Sequence, residues 1–68
     1  MLTDRAIKNL EDLLKGFSDD YNLYKGAGFE KAADKNYYLF KGVQYALWAM
    51  DYDAVVDSDA EYKVVELK

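Results

Sequence analysis

The chain has no cysteine and no histidine among its 68 residues, only four glycines, and fewer basic than acidic side chains. Each shortage closes a class of chemistry. Without cysteine there is no disulfide and no thiolate metal site. Without histidine the commonest metal ligand and the physiological proton shuttle are missing. Serine nucleophiles fare little better, because Ser18 and Ser58 both sit in helix-capping or turn contexts. No continuous apolar run approaches the ~20 residues that cross a bilayer, so no membrane association is expected. The N-terminal stretch MLTDRAIKNL carries Asp4 and lacks a continuous apolar segment, so it is not expected to be a signal peptide. A cytoplasmic location is the default expectation.

Charge is scarce in one sign and unevenly placed. The net charge is −4. Residues 51–68 hold six acids (Asp51, Asp53, Asp57, Asp59, Glu61 and Glu66) against Lys63 and Lys68, which accounts for the whole negative excess. Direct nucleic-acid binding by phosphate neutralisation is therefore disfavoured. The spacing Asp57-x-Asp59-x-Glu61 lacks the glycine and terminal glutamate of a calcium loop, so no metal or other cofactor is expected. These acids are read as a solvated acidic rim.

What the chain does have is apolar and aromatic surface. Hydrophobic residues make up 51% of it, which marks a folded domain. Sixty-eight residues allow one domain spanning 1–68, with a core that rarely supplies more than ~3–5 kcal/mol. Residues 37–50, YYLFKGVQYALWAM, are apolar on nearly every side, with Lys41 and Gln44 the strongly polar exceptions. Such a segment must be covered on more than one side.

Taken in order, Thr3 is an N-cap and Leu2 and Ile7 have the spacing of a hydrophobic staple. Ile7, Leu10, Leu14, Phe17, Tyr21 and Tyr24 then follow in three- and four-residue steps along one helical stripe. Asp4–Lys8 and Glu11–Lys15 are expected surface pairs. A first helix over about 3–25 is expected; the alternative breaks it at Gly16, giving three helices. Gly26 is expected in the left-handed conformation past the helix end. The Gly26-Ala27-Gly28 link lacks the other elements of a phosphate loop and reads as the turn of an antiparallel hairpin.

A second helix is expected over about 29–52. Its inner stripe (Phe29, Ala33, Tyr37, Phe40, Val43, Leu47, Ala54) should close the hairpin. Its outer stripe carries Tyr38, Gly42, Tyr45, Ala49 and Tyr52, with Trp48 at the margin and Lys41 among the rings. Val55, Val56, Tyr62, Val64 and Val65 favour extended structure, and the polar break 57–60 reads as a turn. The expectation is a mainly α fold, a helical hairpin with a short C-terminal strand or β-hairpin packed on it. The outer face of the second helix is the nearest surface for that tail.

If the tail leaves that face open, Tyr and Trp suit an interface, bringing large area at low entropy cost. The function expected from sequence is a small acidic, non-enzymatic protein–protein interaction module, of the kind by which phages and mobile elements inhibit a host enzyme or defence factor stoichiometrically or imitate nucleic-acid charge. The alternative is a structural homodimer. In either case the contact residues would be Tyr38, Lys41, Gly42, Tyr45, Trp48, Ala49 and Tyr52, with Asp51, Asp53, Asp57, Asp59 and Glu61 as the acidic rim; in the homodimer this aromatic face would serve self-association alone.

Overall fold

A computed structural model of the chain describes residues 2–59 and 61–67. Two helices, α1 (Asp4–Gly26) and α2 (Glu30–Ala49), are followed by two strands, β1 (Tyr52–Val56) and β2 (Tyr62–Glu66), paired antiparallel. The helices form a hairpin and the sheet packs across one side of it, β1 over α2 and β2 over α1.

The start of α1 follows from its cap. The Thr3 hydroxyl accepts the Ala6 N–H at 3.1 Å, and Leu2 and Ile7 both pack at the core's edge. Gly16 does not break the helix, which continues to Gly26 with the apolar stripe in phase. The expected surface pairs are replaced by Lys8–Asp12 at 2.8 Å and Lys15–Asp19 at 3.3 Å; in the second case Glu11 is engaged by the Val64 N–H instead. In the turn, Gly28 takes the left-handed conformation (φ 85°), while Gly26 stays helical and Ala27 caps α1 in an ordinary right-handed conformation.

The second helix ends at Ala49, three residues earlier than the outer stripe implies. The Met50 and Asp51 N–H groups fold back onto the Leu47 and Trp48 carbonyls, tightening the last turn. Asp51 then adopts φ 63°, one of the few non-glycine residue types that tolerate the left-handed region, and redirects the chain into β1. Tyr52 and Ala54 therefore belong to a strand, and their alternation points both inward.

The core is small. Among the described residues Leu14, Ala33, Leu47, Tyr52 and Val64 are buried; Leu10, Phe40, Val43 and Tyr62, among others, pack against the cluster of Leu14, Leu47, Tyr52 and Val64. Leu14 from α1 and Leu47 from α2 are fully enclosed under Tyr52 and Val64 from the sheet. Burying each leucine is worth about 1.5–3 kcal/mol.

The sheet is fixed by polar contacts at its margins. Tyr52 receives the Leu2 N–H on its hydroxyl oxygen at 3.2 Å, and the Tyr62 hydroxyl donates to Ser18 Oγ at 3.1 Å. The central pair, Ala54 and Val64, aims its N–H groups out of the sheet. Both are taken up by carboxylates: Val64 donates to Glu11 Oε2 at 2.9 Å and Ala54 to Asp53 Oδ1 at 2.8 Å. At the tip, Asp57 Oδ1 accepts the N–H groups of Asp59 and Glu61; Ala60 of the expected turn lies outside the described residues.

Candidate interaction surface

The sheet seats itself on the inner side of the hairpin and leaves the flank of α2 open. Tyr38, Lys41, Tyr45 and Trp48 recur at three- and four-residue steps, so they line one side of the helix. Tyr38 is 70% exposed, Tyr45 58% and Trp48 46%. Gly42 and Ala49, between and beyond the rings, are exposed as well. The tail leaves Tyr38 and Tyr45 open; its Tyr52, Ala54, Tyr62 and Val64 pack at the core of Leu14 and Leu47, while Val55, Val56, Val65 and Leu67 meet solvent.

These rings are held in place. Tyr45 and Trp48 meet at 5.4 Å between centroids and Tyr37 and Tyr38 at 5.4 Å edge to face, favourable geometries for aromatic pairs. Lys41 Nζ lies 5.7 Å from the centre of the Tyr37 ring. The Trp48 indole N–H donates to Asp53 Oδ1 at 2.6 Å, joining the end of α2 to the start of β1. That indole bond, together with the Ala54 N–H, holds the Asp53 carboxyl below its ordinary range.

The expected contact residues divide as follows. Tyr38, Lys41, Gly42, Tyr45, Trp48 and Ala49 share the flank. Tyr52 does not; at 6% exposure it belongs to the core, because α2 stops before reaching it. The acids do not form one rim. Asp53 lies beside Trp48, and Asp51 occupies the helix–strand corner. Asp57, Asp59 and Glu61 gather at the hairpin tip, where Asp57 serves as the turn's own cap.

Two features are new relative to the sequence. One is an aromatic cleft of about 190 Å³ between the helices and β2, walled by Phe17, Tyr21, Tyr37, Phe40 and Tyr62. The other is the side of the hairpin opposite the sheet, where Leu13 and Leu39 are 46% and 42% exposed and Ala46 and Met50 also meet solvent. Leu39 fits neither stripe of α2. Its seven-residue spacing to Ala46 is the signal that could have marked a third face.

Among the described residues no charged side chain is buried, no three acids are grouped as a metal site would need, and no helix is long and apolar enough to cross a membrane. No known protein family matches the chain, and no curated protein or solved structure is significantly similar to it.

Proposed function

We propose that the chain is a small acidic protein–protein interaction module, not an enzyme, and that it engages a foreign protein through the side chains of the α2 flank, Tyr38, Lys41, Tyr45, Trp48 and Ala49, with Gly42 at the border of that flank. The observation that carries this reading is that Tyr38 and Tyr45 stand largely exposed on one side of α2, with Trp48 half-exposed beside them. Rigid aromatic anchors with a polar tip are the side chains that contribute most at interfaces. Trp48 is pre-positioned by Asp53, so little rotamer freedom is left to lose on binding. The acidic balance of the chain favours a partner whose contact surface is basic. Occupying such a surface is how a small stoichiometric inhibitor acts, and inhibition of a host protein is the role this reading extends to.

The test is photocrosslinking from position 38 or 45 in cells that express the chain, paired with Tyr45→Arg. The expected result is one dominant crosslinked protein, lost in Tyr45→Arg while far-UV circular dichroism stays native. A partner captured equally well by Tyr45→Arg would overturn the assignment to this flank.

A further inference from the structure

The hairpin has a second uncovered side, and its geometry specifies an occupant. Glu11 and Ser18 mark the sheet-facing side of α1 through their bonds to Val64 and Tyr62. Leu13, Gly16 and Asp20 lie about 140–180° around the helix from them. On α2, Lys35, Leu39 and Gly42 lie about 120–180° around from Trp48, which bonds to β1. These six positions therefore line the face that the sheet leaves bare.

The contact between Tyr21 and Tyr37, 6.2 Å between ring centres, sets the level of one helix against the other. Counted outward from that contact along antiparallel helices, Gly16 falls near the level of Gly42 and Asp20 near that of Lys35. Both glycines are helical, and a Cβ at either would meet nothing in its own chain. A mid-helix glycine costs about 1 kcal/mol relative to alanine, so neither is explained by packing within the monomer. Neither Asp20 nor Lys35 is in an ion pair among the described residues.

The surface area points the same way. A compact 7.8 kDa chain should expose about 4400 Å², whereas this one exposes 4962 Å² and is 18 Å across its shortest dimension. Over the whole molecule the chain therefore leaves about 560 Å² more surface open than a compact fold of its mass; a standard interface takes roughly 800 Å² from each partner.

We propose that a second copy of this chain occupies the face, related by a two-fold axis parallel to the helices. That axis keeps every residue at its own level and sets α1 of one copy against α2 of the other. Gly16 then meets Gly42 of the second copy, letting the backbones approach closely, and Leu13 and Leu39 fill the layers to either side. Asp20 comes beside Lys35 of the second copy, twice over by symmetry. The perpendicular two-fold would instead set α1 on α1 and leave both charges without a counterpart. The aromatic flank stays outward, so the dimer presents two copies of Tyr38, Tyr45 and Trp48.

Sedimentation equilibrium over a concentration series tests this with exposed positions that should not disturb folding. The wild type is expected to be dimeric at low micromolar concentration. Asp20→Lys and Lys35→Asp should each weaken dimerisation roughly tenfold or more, and the double variant D20K/K35D should restore it. Tyr45→Arg should leave the mass unchanged, which separates this face from the foreign-partner flank. A monomer throughout the series would overturn the proposal. So would a dimer indifferent to both single charge reversals, failure of the double variant to restore it, or a dimer dissociated by Tyr45→Arg.

Discussion

Glu11 offers the sharpest single perturbation. Its Oε2 accepts the Val64 N–H at 2.9 Å across 53 residues of sequence, in a partly buried setting. A hydrogen bond to a charged group contributes about 1.5–3 kcal/mol, and losing it also leaves a donor unmatched. Against a total of ~3–5 kcal/mol for a domain of this size, Glu11→Ala should remove about half of the stability. The melting temperature should fall by on the order of 10 °C. Glu11→Gln keeps a carbonyl acceptor at similar reach and should cost distinctly less. Asp12→Ala is the control: it breaks the exposed pair with Lys8, which is worth at most a few tenths of a kcal/mol. The assay is urea denaturation followed through Trp48, with native-state hydrogen exchange of the Val64 amide, at one fixed protein concentration. If Glu11→Ala and Asp12→Ala are equally stable and the Val64 amide exchanges at the wild-type rate, Glu11 does not anchor β2 and the reasoning fails.

Leu47→Ala should cost about 2–5 kcal/mol, comparable to the whole stability, so its helical circular dichroism should be largely lost at room temperature. Tyr62→Phe and Ser18→Ala remove opposite ends of one hydrogen bond; each should cost about 0.5–1.5 kcal/mol and the double variant no more than the larger single. The Asp53 carboxyl titrates below its ordinary 3.8 in the folded chain, so its contribution is complete above that pH and is lost as pH falls through the lower folded value. Trp48 emission should change in that acid window and not at higher pH, and Asp53→Asn should abolish the change. Gly42→Ala should stabilise the dilute monomer by about 1 kcal/mol while weakening its association with a second copy, two effects of opposite sign that sedimentation and urea titration resolve.

The helices were legible because each residue of the stripe from Ile7 to Tyr24 supports the same period, and the Thr3 cap needs only its own neighbours. The strands were legible from Val55, Val56, Val64 and Val65. The junction was not. A helix that stops at Ala49 rather than at residue 52 reverses the fate of Tyr52, from a surface ring to a core residue, and nothing local to that residue announces it. The stop is produced by Asp51 entering the left-handed region and by the sheet burying Tyr52 and Ala54, a tertiary gain that the period of α2 cannot register. Glu11 was misplaced for a related reason: a partner 53 positions away takes a carboxylate that looks, locally, paired with Lys15. The Trp48–Asp53 bond also crosses that junction and became visible only with it.

The arrangement of carboxylates bears on how anything can bind this molecule. A two-stranded sheet has two open edges, and an exposed edge is a template for another strand. Here the outward N–H at the centre of each strand is already occupied, β2 by Glu11 and β1 by the side chain of Asp53. An incoming strand would have to displace a charged acceptor at either edge, which makes strand addition unfavourable. The two five-residue strands can cover one side of the helical hairpin, and they cover the side that holds Leu14 and Leu47. Apolar surface stays open on the helices, at the flank of Tyr38, Tyr45 and Trp48 and the face of Leu13 and Leu39, and on the sheet at Val55, Val56 and Val65. Recognition by this chain is therefore expected to use side-chain faces rather than strand addition, with the largest exposed rings on α2 and the sheet locking the hairpin.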